Sequence, residues 1–366
     1  MSKKNTAKMK ASKRSAGKPF AGKRKSEGGT LKSKKHLKSK KSSISSRTSS
    51  KISSKPKSSD FSRQIVWAVD PFKASGPSWS KLTSIVKALS LEGKTTIQPV
   101  YVLSPSNFNF TGEFSGPWMA VFEPKVREAF TRVLSGLGIS SLLEPEIILN
   151  KETSMASNVS KLLKFVEKSQ AEVLVMNSHA RTGLARLFLG SFAETALMTT
   201  KVPLILVNPE TKSVTQFKKV LFPTDFSASN KKAFKKVLVF CKKYGSQLII
   251  YHKLPDPIEP MVQTGVYMAG GGWVSVQQYI DLESDAREKE SQVLVAEAAK
   301  MGVDAKFFIE EKPGFITDSI NQYVSQNSVD LVAVGSKSGP ISSVLVGSIG
   351  RQMVREASCP VWVVHV

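Results

Sequence analysis

Two aspartates and two glycine–serine pairs are the residues of this chain whose types and surroundings can do chemistry. Asp70 and Asp225 each follow a short apolar run, in Ala68-Val69-Asp70 and in Pro223-Thr224-Asp225. Gly190-Ser191 and Gly347-Ser348 each close a polar segment and open a stretch with helical pattern. A carboxylate at a strand end can accept from a ribose hydroxyl or an adenine amine. A glycine lets backbone approach a ligand, and the free N–H groups of a helix start favour an anion such as phosphate. Together these groups would form a mononucleotide site. The plainer alternative is that the aspartates cap turns and the glycines merely start helices.

The polar segments add candidates of their own. Asn177-Ser178-His179-Ala180-Arg181 leads toward Gly190, and Gly335-Ser336-Lys337-Ser338-Gly339 leads toward Gly347. His179 and Arg181 could meet phosphate charge, with Arg186 nearby. Other signals fail on spacing. Gly93-Lys94-Thr95 resembles the end of a P-loop, but Ala88 stands where that motif needs its first glycine, and a strand follows instead of a helix. Gly136 and Gly138 lack the third glycine of a dinucleotide fingerprint. The four histidines, His36, His179, His252 and His365, show no helical metal spacing. His252 and His365, each at a strand end, read as structural. Cys241 and Cys359 are the only cysteines, which excludes a disulfide scaffold or a cysteine-cluster zinc site and leaves packing as their expected role. No catalytic triad signature or Gly-x-Ser-x-Gly elbow appears, so a dedicated enzyme is not expected, with slow ATP hydrolysis at most.

These residues must be positioned by a fold, and the apolar pattern indicates which. The runs fall at 64–69, 96–103, 146–149, 172–176 and 203–207, then at 219–223, 247–251, 305–309, 330–334 and 360–364. Each is rich in Val, Ile or Leu with little alternation, as in strands buried on both faces of a parallel sheet. Helical patterns lie between them. Ser78 is placed to cap one whose apolar residues are Leu82, Ile85, Val86 and Leu89. Asp281 to Lys300 is another, with the apolar residues Val293, Leu294 and Ala298. The two sets repeat. Asp70 and Asp225 are 155 positions apart, Glu172 and Asp330 are 158, and Gly190 and Gly347, like Pro203 and Pro360, are 157. Strand–helix alternation of this kind predicts a doubly wound α/β domain, here twice, at residues 61–210 and 216–366. Ligands of such sheets sit outside the carboxyl ends of the strands, where strand order reverses. That places the segments after strands one and four of each copy at the site.

Residues 1–60 differ in kind. They hold 20 of the 53 basic residues and only two acids, for a net charge of +18, while the whole chain carries +24. With Phe20 as the one aromatic and 16 serines, this segment is expected to be a disordered basic tail. Two readings stand side by side: a solvated, solubilising leader, or nonspecific, salt-sensitive docking on nucleic acid or another polyanion. No apolar run approaches a membrane span, no secretory signal is evident, and a cytoplasmic setting is expected.

The segments after strand four resemble the universal stress protein family, whose motif is Gly-x2-Gly-x9-Gly-Ser/Thr. Gly190 and Ser191 match in the first copy, with Asn177 and Ala180 where the first two glycines belong. Gly335, Gly347 and Ser348 match in the second, but the spacing from Gly335 to Gly347 is one residue short. Pro223-Thr224-Asp225 is the closer of the two strand-one ends to the family's pattern. The resemblance covers residues 61–366. It implies two five-stranded, adenine nucleotide α-hydrolase-like domains in tandem, acting as a stress-response sensor or scaffold. It also implies ATP or another adenine nucleotide, with Mg²⁺, held in at least one domain by Asp70, Asn177, His179, Ala180, Arg181, Gly190 and Ser191, or by Pro223, Thr224, Asp225, Gly335, Gly347 and Ser348. Fifth strands paired edge to edge would make an internal pseudo-dimer, open to further homodimerisation. The alternative is a nucleotide-free interaction protein held on nucleic acid by its tail.

Overall fold

The computed structural model describes residues 63–90, 95–108, 117–178, 190–257, 265–268, 271–338, 344–345 and 347–366. The basic tail lies outside the described residues, as do His179, Ala180, Arg181, Arg186 and Gly339. The first half runs β1 (Arg63–Ala68), α1 (Gly76–Leu89), β2 (Thr95–Leu103), α2 (Pro117–Leu134), β3 (Glu146–Leu149), α3 (Met155–Lys168), β4 (Val173–Asn177), α4 (Ser191–Thr199) and β5 (Leu204–Val207). The second runs β6 (Lys219–Pro223), α5 (Ala228–Tyr244), β7 (Gln247–Lys253), a hairpin of β8 (Val266–Met268) and β9 (Gly272–Val274), then α6 (Val276–Lys300), β10 (Ala305–Glu310), α7 (Ile316–Asn327), β11 (Leu331–Ser338), β12 (Val344–Leu345), α8 (Ser348–Glu356) and β13 (Val361–His365).

The main strands form one sheet in the order β3-β2-β1-β4-β5-β13-β11-β6-β7-β10, with β12 paired to β11. Each half contributes five strands in the same order, and within each half these five are parallel. The lack of alternation in the sequence has a direct cause. In β1, Ile65 and Trp67 enter one core, against Leu82 and Ile85 of α1 and Phe130 of α2, while Val66 enters the other, against Val159 and Leu162 of α3. Both faces are covered over the middle of the strand, so its consecutive positions Ile65, Val66 and Trp67 are all apolar and buried. Each core also contains residues of both halves, among them Phe234 of α5 on the first face and Ile320 of α7 on the second.

Some helix starts differ from expectation. Ser78 does not cap α1. That helix begins at Gly76 after the N-cap Ser75, with Pro77 in its first turn, where a fixed φ and a missing N–H cost nothing. The inward residues Leu82, Ile85, Val86 and Leu89 are buried as predicted. The helix expected from Asp281 starts at Val276, because Ser275 and Gln278 form a reciprocal capping box there. On it Leu294 and Ala298 are buried, but Val293 is exposed. Both cysteines are buried, and burial raises each thiol pKa to about 12.

The halves meet where β5 and β13 pair antiparallel, Val361 with Leu206, Trp362 with Ile205 and Val363 with Leu204. On one face Tyr244 Oη donates to Leu89 O (3.0 Å), and Lys243 Nζ pairs with Glu172 Oε2 (2.8 Å). On the other, Asn208 Nδ2 donates to Val354 O (3.2 Å) and Ala357 O (2.8 Å), at the carbonyl end of α8. The connection after β5 is therefore packed: Lys212 N donates to Ser358 O and Val214 N to Ser84 Oγ.

Candidate functional site

In the first half, β1 and β4 are neighbours with Trp67 opposite Val175, so continuing the register puts Asn177 opposite Val69, one residue before Asp70. Asp70 Oδ1 accepts from Phe72 N (3.1 Å), an Asx-type turn, and Oδ2 pairs with the exposed Lys73 (3.1 Å). Ser178 is fully buried and its N–H donates to Val207 O (2.8 Å). Its carbonyl accepts from Gly190 N (2.8 Å), which joins the end of β4 to the start of α4. Gly190 is the N-cap of α4, and Ser191 is its first residue. The structure thus brings Asp70, Asn177 and the Gly190–Ser191 helix start to the carboxyl edge of the first half. His179, Ala180 and Arg181 lie outside the described residues.

The second half is built differently. Pro223 ends β6, Thr224 N donates to Tyr251 O, and Thr224 Oγ1 accepts from Phe226 N (3.0 Å). Asp225 Oδ1 accepts from Ser227 N (2.9 Å) and from Asn230 Nδ2 (2.5 Å). Ser227 caps α5 through its side chain, accepting from Asn230 N. Phe226 adopts φ +57° and is nonetheless buried: its ring packs 5.1 Å from that of His252, with the Arg287 guanidinium 5.8 Å above it. Glu283 and Glu290 hold Arg287 in place. His252 Nδ1 lies 2.8 Å from Thr224 O, and burial of the ring lowers its pKa.

Gly335 does not lie in a loop, as the pattern suggested, but inside β11, paired with Val364. The strand runs on to Ser338 and folds back against β12, Lys337 with Leu345 and Ser338 with Val344. The polar residues that seemed to begin a loop are accommodated because Ser336 Oγ lies 2.6 Å from His365 Nδ1 on the neighbouring strand. In register, Gly335 falls opposite Thr224. A Cβ at Gly335 would collide with Asn230 Oδ1. Asp225, Asn230 and Gly335 therefore form one cluster, and Gly347 and Ser348 start α8 after β12. Asn230, Phe226, His252 and Arg287 were not among the expected site residues. For Asn230 the available signal was its position in the first turn of α5, three residues after the N-cap Ser227.

The profile of the universal stress protein family matches residues 63–208 and again residues 216–365. The chain belongs to the universal stress protein family. Among its relatives, a universal stress protein of Methanocaldococcus jannaschii is 26% identical over 152 residues, covering 40% of this chain and 82% of that protein. The crystal structure of a universal stress protein from Archaeoglobus fulgidus is similar with a TM-score of 0.58 at 18% identity, over 83% of this chain and 99% of that one. A second A. fulgidus structure, of a universal stress protein in complex with dAMP, covers 40% of this chain and 98% of its own at 15% identity, with a TM-score of 0.29. This universal stress protein is thus a tandem form, with two adenine nucleotide α-hydrolase-like domains in one chain.

One residue of this universal stress protein should make its stability depend on pH. His365 is 5% exposed, its Nε2 has no partner, and Lys236 Nζ donates to its carbonyl oxygen (2.5 Å). Burial, reinforced by the Lys236 charge, lowers its pKa to about 4. An unfolded histidine titrates near ~6.5, so the unfolded chain binds the proton more tightly. The stabilising contribution is whole above that pH and is lost as pH falls toward 4, amounting to about 3 kcal/mol. Urea titrations at pH 7 and pH 4.5 should show His365→Asn losing less stability than the parent by about 2 kcal/mol. Equal losses would show that His365 is not the group responsible. Among the described residues, no helix is long and apolar enough to cross a membrane.

Proposed function

We propose that this tandem universal stress protein is a stress-response sensor or scaffold that binds ATP or another adenine nucleotide at the carboxyl edge of at least one half. The domains are taken as 61–210 and 216–366, preceded by the tail, in a cytoplasmic protein. The observation that carries the reading is in the first half, where Gly190 N closes onto Ser178 O. That bond fixes the start of α4 at the end of β4, and β4 neighbours β1, which leads into the Asp70 turn at the point where strand order reverses. The nucleoside would be read by Asp70 and the phosphates by the free N–H groups at Ser191. Adenine nucleotide is the ligand class because the motif residues belong to a family with a dAMP-bound member. The antiparallel β5–β13 pair supports an internal pseudo-dimer, since each half supplies the edge the other would otherwise expose. The function in this reading is binding and its readout by a partner, with slow ATP hydrolysis at most.

Titration calorimetry of the full chain with ATP and Mg²⁺ tests this reading. The expected result is a Kd below ~1 mM, weakened at least tenfold by Gly190→Val. Absence of heat at millimolar ATP removes it. A second reading is favoured by the tail's charge of +18: docking on a polyanion, independent of nucleotide. Removal of residues 1–59 should then abolish low-salt retention on DNA, and unchanged retention disposes of it.

A further inference from the structure

The second half carries its own occupant. Gly335 has no side chain, and the notch this leaves lies between β11 and the first turn of α5, across from Thr224. This is the crevice beside the strand-order reversal, where a ligand of such a sheet would enter. The notch is not vacant. The Asn230 side chain projects into it, with Oδ1 against the Gly335 backbone, and Nδ2 donates to Asp225 Oδ1 at 2.5 Å. Ala233 Cβ closes the inner wall, 3.3 Å from where a Cβ of Gly335 would stand. One amide therefore engages both groups that a nucleotide would need, the strand-one carboxylate and the strand-four glycine. On the side toward β7, Phe226 is sealed between His252 and Arg287.

We infer that Asn230 is an intramolecular plug that excludes nucleotide from the second half, so that any nucleotide bound by the native chain sits in the first half. The first copy has no such group at the equivalent position. Asn230 stands three residues after the N-cap Ser227 of α5, and the residue three after the N-cap Ser75 of α1 is Ser78, which is shorter and exposed. The plug is also separable from the helix that bears it. The bond from Asn230 N to Ser227 Oγ uses backbone and survives a change of side chain. Asn and Ser have similar helix propensities. Asn230→Ser therefore removes the amide and leaves the cap.

This inference rests on the adenine nucleotide reading, but its geometry is tested without ligand. Gly335→Ala should lower the thermal midpoint of the native chain by a small, measurable amount, because the new methyl pushes the Asn230 amide off Asp225 Oδ1, and Asn230→Ser should restore most of that loss. A Gly335→Ala variant as stable as the parent, or one not rescued, overturns the plug. Calorimetry of the full chain with ATP and Mg²⁺ then reads the consequence. Asn230→Ser should bind one more nucleotide per chain than the parent, and adding Asp225→Ala should remove the extra site. Two sites in the parent, or no gain in Asn230→Ser, overturns the inference. If the Gly335→Ala pair behaves as expected while neither parent nor variant binds ATP, the nucleotide reading fails, and exclusion as the purpose of the Asn230 contact fails with it.

Discussion

Trp362→Ala is expected to destabilise the chain by about 3–5 kcal/mol, the range for deleting a buried large aromatic. Trp362 stands at the centre of the antiparallel seam, opposite Ile205, and only 6% of it is exposed. Its ring lies 4.8 Å from that of Phe240, and it shares a small cavity with Leu89, Val173, Ile205 and Tyr244, residues drawn from both halves. Truncation would enlarge that cavity between two layers held by β strands, which cannot easily collapse inward. Trp362→Phe should behave quite differently. The indole Nε1 has no acceptor, so phenylalanine discards an unsatisfied donor along with the lost ring area. The two effects oppose one another, and a cost of no more than about 1.5 kcal/mol is expected. Denaturant midpoints of the two variants should therefore be well separated. If phenylalanine is as damaging as alanine, the indole N–H has a partner in solution and the account of the seam is wrong.

The second large effect concerns Asn208, which is 2% exposed and bonded through both ends of its amide. Nδ2 reaches Val354 O and Ala357 O across the seam, and Oδ1 accepts from Glu210 N (2.7 Å) and Thr211 N (2.9 Å). It thus supplies donors to the last carbonyls of α8 and holds the turn that leads into the second half. Alanine would leave several buried backbone groups unpaired, at about 1 kcal/mol or more each, so a loss of about 3 kcal/mol is expected. Asn208→Asp should be no better at neutral pH. It keeps the acceptor, loses the donors, and places a negative charge at the negative end of a helix. Urea unfolding of the three proteins measures this. A change under ~0.5 kcal/mol in Asn208→Ala would mean that water replaces the amide and the seam is looser than described.

The strands were legible because both sheet faces are covered: a run such as Ile65, Val66 and Trp67 has no polar position to blur it. The repeat was legible for the same reason, since two copies of one sheet need apolar runs at matching distances. Legibility failed where polar residues are satisfied locally. β11 looked finished at Val334 because Ser336 and Lys337 read as loop, but Ser336 meets His365 on the adjacent strand and pairing continues. The starts of α1 and α6 shifted for a related reason. A serine before an apolar stretch is a weak sign when Pro77, or the Ser275–Gln278 pair, offers a better beginning upstream. In the site, Asp70 and Asp225 stood out by ending apolar runs. Asn230 did not, because a polar residue in a first helical turn is unremarked until the fold lays it against a glycine 105 positions away.

The antiparallel junction between the halves has a directional consequence. Every strand of the first half points one way along the shared sheet, and the corresponding strands of the second half point the other. The rims where Asp70 and Asp225 sit therefore open at opposite poles of the molecule, so one molecule cannot bridge both unless it spans the whole length of the sheet. The two central strands and the cores that both halves share are what connect the poles. A partner docked at one pole would feel the state of the other through that shared middle.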